Sequence, residues 1–211
     1  MNFDRLAKAY GSLEAITAGT RLQRCRVAFL DAIPVPRRVL LAGEGHGRFL
    51  PECVRCFPHA RIVVVDASAV MLEVARKRLT QPGAAARVEF VHADVSHWEG
   101  AGGGFDLIVT QFFLDCFPAG ALARVVARLA ALATPDAHWL VADFHLAAGR
   151  WARWRSRLIV ELLYRFFRLV CGVEADRLIE PDAYLEDAGF CCHRRVTSEW
   201  GLLKSEWWRR Q

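Results

Sequence analysis

The sequence predicts an α/β fold: a doubly wound, mostly parallel sheet of seven strands with an N-terminal helical cap and an antiparallel C-terminal hairpin. Three observations carry this prediction. Short apolar strands alternate with helices of roughly 10–15 residues, the rhythm of a parallel sheet with helices on both faces. A glycine-rich turn joins the first strand to the helix after it. Two strands hinged at Gly201 close the chain. With 211 residues, 54% hydrophobic and 24% charged, the chain is expected to be one domain, 1–211, with a sizeable core. Residues 1–35 would form its cap and 146–188 a helical lid insertion.

Taken in order, apolar residues recur at helical spacing through Asn2–Ala9 and Leu22–Ile33, and Pro34-Val-Pro36 ends that segment. Arg38–Ala42 is a continuous apolar run, as expected of a parallel strand buried on both faces. Helix Arg48–Phe57, strand Arg61–Val65, helix Ser68–Leu79 and strand Val88–His92 follow. Phe105–Thr110 reads as the fourth strand, Ala119–Ala133 as a helix and His138–Phe144 as the fifth strand. Arg150–Gly172 then changes texture, becoming a long aromatic and basic helix. Pro181–Ala188 is a short helix, entered through Glu180 or the residues before it. Cys192–Trp200 and Leu202–Arg210 are the closing strands.

The charge total, 28 basic against 23 acidic side chains, is +5. Arg150–Arg168 alone carries six arginines against one acid, Glu161. That distribution implies one local basic surface and argues against a nucleic-acid binder. Seven cysteines scattered along the chain read as reduced thiols. Cys53-Val-Arg-Cys56 has no second pair at zinc spacing, so it reads as the inner face of a helix. No apolar run approaches the ~18 residues of a membrane span. Met1-Asn-Phe-Asp-Arg lacks an apolar signal core, so a cytoplasmic address is expected.

The informative motif is Val39-Leu-Leu-Ala-Gly43-Glu44-Gly45-His-Gly47, at a strand-to-helix turn where glycine lets a ligand approach the backbone. Its spacing is G-x-G-x-G, with Arg48 where the dinucleotide fingerprint G-x-G-x-x-G has its third glycine. Asp66 closes the second strand 23 residues after Gly43, and Asp94 follows the third in Val91-His-Ala-Asp94-Val95. Together with Phe105-Asp-Leu-Ile-Val, these residues resemble the class I S-adenosylmethionine-dependent methyltransferases over about residues 36–145.

The resemblance implies a Rossmann-like methyltransferase fold and S-adenosyl-L-methionine as cofactor. It assigns Gly43, Gly45 and Gly47 to the methionine and ribose side, and Asp66 to the ribose hydroxyls, flanked by Ala67 and Ser68. Asp94 and Val95 bracket the adenine, while Gln111 and Phe112 face the methionine and the transferring methyl. The family's acid two residues before the first glycine is Leu41 here, with Glu44 as the substitute within the loop. Phe3-Asp4-x-x-Ala7-x-x-Tyr10 is similar to the opening of small-molecule enzymes of the ubiquinone/menaquinone C-methyltransferase type, whose aromatic closes over the cofactor. An amphipathic helix packed on the sheet explains Tyr10 equally well.

Methyl transfer from a sulfonium rests on alignment, and a base is needed only where the nucleophile must lose a proton. Asp115, Asp143 and His145 stand near the ends of strands four and five as candidates. The bland alternatives are a helix cap for Asp115, an arginine partner for Asp143 and a solvated strand end for His145. No metal is expected from His92 and His97 beside Asp94.

In Arg150–Val170, Leu158, Leu162, Phe166 and Leu169 share one face, with arginines and the tryptophans Trp151 and Trp154 around it. That pattern fits a core helix, a lid over the acceptor using Phe166 and Phe167, or peripheral contact with a membrane. The expected function is methyl transfer to a small apolar or aromatic acceptor. A small polar or thiol acceptor and a non-catalytic cofactor-binding module are the alternatives, and no oligomeric state is implied.

Overall fold

A computed structural model describes residues 19–100, 102–147, 149–171 and 177–211. The strands are β1 (Arg38–Ala42), β2 (Arg61–Asp66), β3 (Val88–His92), β4 (Phe105–Gln111), β5 (Ala133–Phe144), β6 (Phe190–Ser198) and β7 (Leu203–Arg210). They form one seven-stranded sheet in the order β3-β2-β1-β4-β5-β7-β6. The first five strands of that order pair in parallel, and β7 is antiparallel to both β5 and β6. The predicted parallel sheet with a C-terminal hairpin is what the chain adopts.

The helices are α1 (Gly19–Val27), α2 (Leu50–Cys56), α3 (Ala69–Arg78), α4 (Ala119–Ala131), α5 (Arg150–Cys171) and α6 (Asp182–Asp187). Both faces of the central strands are buried, which is why those strands are apolar throughout. Val39, Leu41, Val64 and Leu107 meet Phe49, Leu50, Val54 and Leu72 from α2, α3 and their approaches. Leu40, Val65, Ile108 and Val141 meet Leu122, Val125, Val126 and Leu129 of α4, and Leu185 of α6. Trp139 and Trp208 are paired in register across β5 and β7 and are fully buried on this second side. The Trp139 indole donates to Thr110 Oγ1 at 2.9 Å, so burial leaves its N–H satisfied.

Local chemistry explains where the boundaries differ from expectation. β5 begins at Ala133 and is longer than predicted, because Phe105 pairs with Ala133 before the register shift ahead of Leu107. α2 starts at Leu50, with Pro51 in its first turn where no backbone donor is needed. α3 is capped by Ser68, whose hydroxyl accepts from Met71 N at 3.2 Å. Gly201 has φ 82° and stands in the short turn between β6 and β7, as the predicted hinge requires. No disulfide forms among the described cysteines, and Cys53 is the buried member of its pair.

Candidate functional site

The site lies at the carboxyl ends of the parallel strands, where an open α/β sheet leaves a crevice. Gly43, Gly45 and Gly47 all have φ between 61° and 76°, a region closed to most other residues. A Cβ on Gly43 would sit 2.0 Å from the Phe113 ring, and one on Gly47 would sit 2.6 Å from Ala75 Cβ in α3. Gly45 has nothing within 4 Å of its missing Cβ, so its surface faces open space. The outer two glycines let elements pack on the turn, and the middle one leaves a cradle.

Asp66 ties that turn to β2. Its Oδ2 accepts from Gly45 N at 2.8 Å and its Oδ1 from Ser68 N at 2.9 Å. Burial pushes its carboxyl above the ordinary range, against the pull of those two amides. A carboxylate has about four acceptor positions, so two amides leave room for further donors. Ala67 O accepts from His92 Nε2 and Asp66 O from Ala93 N, both at 3.1 Å, which brings the end of β3 beside the same corner. Asp94 accepts from Ser96 N at 2.8 Å. Its modest burial acts to raise its pKa, but Ser96 and His97 outweigh that and hold it below the ordinary range. Val95 is buried in the core beside it.

Glu44 does a job its position in the motif hides. Its Oε1 accepts from Phe49 N at 2.8 Å and Leu50 N at 3.1 Å, so it caps the start of α2. Burial raises its carboxyl to about 7 despite those bonds. Leu41, where the family has an acid, is fully buried in the core. Gln111, at the end of β4, donates to Arg26 O at 2.9 Å, and its buried Oε1 has no hydrogen-bond partner among the described residues. Phe112 has φ 53°, stacks edge-on with Phe144 at 5.3 Å and lies under the Arg26 guanidinium at 5.1 Å.

The ends of β4 and β5 hold a second polar centre. Asp115, in the turn Leu114–Cys116, adjoins Asp143 near the end of β5, and both carboxyls are buried. Burial raises Asp115 to about 6 and Asp143 well above the ordinary carboxylate range, and for Asp143 the neighbouring Asp115 adds to it. Register places Lys204 of β7 opposite Asp143. The Lys204 ammonium is 1% exposed and meets Glu180 at 2.5 Å, Asp182 at 2.8 Å and Glu206 at 3.2 Å. Burial works against that charge, but the three acids outweigh it and hold the ammonium above its ordinary range. Arg195 pairs with Glu206 at 2.6 Å and with Asp182.

His145 Nδ1 lies 2.8 Å from Glu180 Oε1. The carboxylate can only accept, so Nδ1 carries a proton, and in the neutral ring Nε2 is left as an acceptor. Glu180 therefore orients His145 with one oxygen and meets Lys204 with the other. By sequence alone Glu180 marks only a helix start, and neither Lys204 nor Glu206 belongs to a motif. The even spacing of Lys204, Glu206 and Trp208 on one strand face is the signal that reveals them.

Tyr10 lies outside the described residues. Phe166 and Phe167 are placed on α5, but their side chains are not described. Trp151 and Trp154 point into solvent, and the inward side of α5 carries Ser156 and Val160. Leu158 and Leu162 are exposed as well, so the face they share is not a core face. Among the described residues, no group of three or more His, Cys, Asp or Glu is arranged to hold a metal.

Residues 39–136 match the family described as a methyltransferase domain. The release factor glutamine methyltransferase of Chlorobaculum tepidum is 34% identical over 93 residues, 43% of this chain and 31% of that protein. The 3-amino-4-hydroxybenzoate 4-O-methyltransferase of Streptomyces cremeus is 28% identical over 157 residues, 73% of this chain and 40% of that protein. The chain thus spans well under half the length of these curated relatives. Among solved structures, mitomycin 7-O-methyltransferase superposes with a TM-score of 0.72 at 23% identity, covering 100% of this chain and 61% of that one. The magnesium protoporphyrin IX methyltransferase of Synechocystis PCC 6803, solved with bound SAH, gives 0.69 at 20% identity, covering 99% and 94%. At these identities the two structures establish the fold.

Proposed function

We propose that this chain carries a class I S-adenosylmethionine-dependent methyltransferase domain and transfers a methyl group to a small aromatic or apolar acceptor. S-adenosylmethionine is the cofactor of that domain. When bound, its sulfonium supplies an electrophilic methyl. The residues at the strand ends fit it: Asp66 has acceptor positions left for a ribose diol, and Gly45 offers an unfilled surface. Gln111 Oε1, buried and without a partner among the described residues, suits an ammonium where Leu41 replaces the usual acid. Asp94 and Val95 would flank the adenine, with Ala67 and Ser68 beside the ribose. The observation that carries the reading is the Gly45–Asp66–Ser68 junction, which joins the glycine turn to the strand-end carboxylate.

On the acceptor side this chain has a base and its orienter. His145, held through Nδ1 by Glu180, can take a proton at Nε2 from a hydroxyl. The Asp115 and Asp143 carboxyls, both buried and raised above the ordinary carboxylate range, can offer hydrogen-bonding oxygens to the acceptor. A phenolic acceptor suits this set, and the Streptomyces cremeus relative is named for a hydroxybenzoate. Phe112 and Phe144 supply an apolar edge next to Gln111.

Transfer of labelled methyl from S-adenosylmethionine to a panel of hydroxybenzoates and catechols tests this. His145→Asn should lower turnover by about 10²-fold or more at unchanged cofactor affinity, and Glu180→Gln should lower it less. Wild-type turnover on thiols with none on phenols would overturn the acceptor. Equal turnover in the His145 variant would remove the base.

A further inference from the structure

We propose that the outer stripe of α5 docks the protein on an anionic lipid surface. α5 meets the rest of the molecule along its inner side. Ser156 Oγ accepts from Ala147 N at 3.2 Å, and Val160 is buried. Arg155 reaches Glu199 O at 3.0 Å, with its guanidinium 4.4 Å over the Trp200 ring. The other side carries Trp151, Trp154, Leu158 and Leu162, which fall on one line at about 3.6 residues per turn. Trp151 is 83% exposed and Trp154 61%, and their rings meet edge to face at 6.1 Å. Leu158 is 44% exposed and Leu162 57%. Trp200, 78% exposed beside Arg155, carries the apolar surface on to the β6–β7 turn.

A contiguous apolar surface of this kind marks a contact with something, and charge decides with what. Arg153, Arg157 and Arg165 are exposed on the same helix. The acid there, Glu161, is paired with Arg165 at 3.7 Å. A second copy of the chain would bring these arginines against their like, whereas a layer of anionic headgroups complements them. Tryptophan and arginine both place an apolar body in the acyl boundary and a polar tip at the headgroups. No helix among the described residues is long and apolar enough to cross a membrane, and the contact proposed is a surface one. It stands apart from the acceptor chemistry, because its test reads binding and not turnover.

Sedimentation of the full chain tests it, with vesicles of equal parts phosphatidylglycerol and phosphatidylcholine against vesicles of phosphatidylcholine alone. Wild type should pellet with the anionic vesicles, stay in solution with the neutral ones, and be released by added salt. Arg153→Glu and Arg157→Glu should each weaken binding at least about fivefold. Trp151→Ala with Trp154→Ala should cut binding further at an unchanged melting temperature, since both side chains are in solvent. Failure of wild type to bind anionic vesicles, or equal binding to both kinds, overturns the proposal. So does a dimer that the tryptophan changes dissolve in a protein that ignores vesicles.

Discussion

Around Gly43–Gly47 the polar contacts are made by backbone amides on Asp66 and Glu44, within a stretch of 25 residues. Around Lys204 they are made by side chains drawn from α6 and its approach, β6 and β7, with Asp143 of β5 and Asp115 of the turn after β4 beside them. The first region depends on where glycine permits the chain to turn, which is local and visible in a motif. The second depends on which strands become neighbours: Lys204 stands opposite Asp143 only because β7 inserts between β5 and β6. A backbone cradle tolerates change in most side chains. A buried charge cluster fails when one member is removed.

The largest expected effect follows from that contrast. Lys204→Met takes away the ammonium that Glu180, Asp182 and the fully buried Glu206 share. It should cost about 3–5 kcal/mol in denaturant unfolding, the range for breaking a buried pair from one side. A loss comparable with that of an exposed substitution, within about 0.5 kcal/mol, would show that the cluster relaxes into water and erase the contrast.

The strands and the glycine turn were legible because each is written in consecutive residues. Val39–Ala42 and Ile62–Val65 are apolar throughout and buried on both faces. Gly43, Gly45 and Gly47 mark positive φ within five positions. Glu44 as the cap of α2 was not legible, since a carboxylate inside a ligand-binding motif invites a ligand role. Glu180 and Lys204 were missed because their meaning comes from contacts across the sheet. On α5 the periodicity was visible, but apolar residues occur on two sides. Only the placement of Ser156 and Val160 shows which side faces in.

A smaller effect sharpens the comparison through pH. Burial holds Asp143 and Asp115 above the ordinary carboxylate range and Glu44 at about 7. Between roughly pH 4 and 7 the folded chain keeps protons that the unfolded chain has released, so stability should fall as pH rises. The slope is about 1.4 kcal/mol per pH unit for each such proton. Asp94 and Asp182, held low, act in the opposite sense, with stability lost as pH falls below the ordinary carboxylate range. Asp143→Asn should flatten the descending limb in unfolding curves taken across that window. An unchanged slope would mean that Asp143 is ionised in the folded protein.

In the function proposed above, the Gly45–Asp66–Ser68 junction holds the ribose of S-adenosylmethionine. Calorimetric titration of wild type and Asp66→Ala with S-adenosylmethionine, and with NAD as the competing nucleotide, tests it most directly. Wild type should take up S-adenosylmethionine in preference to NAD. The folded variant should bind it about tenfold or more weakly, as expected for lost hydrogen bonds to a charged group. Unchanged affinity in a folded variant, or tighter binding of NAD by wild type, would contradict it.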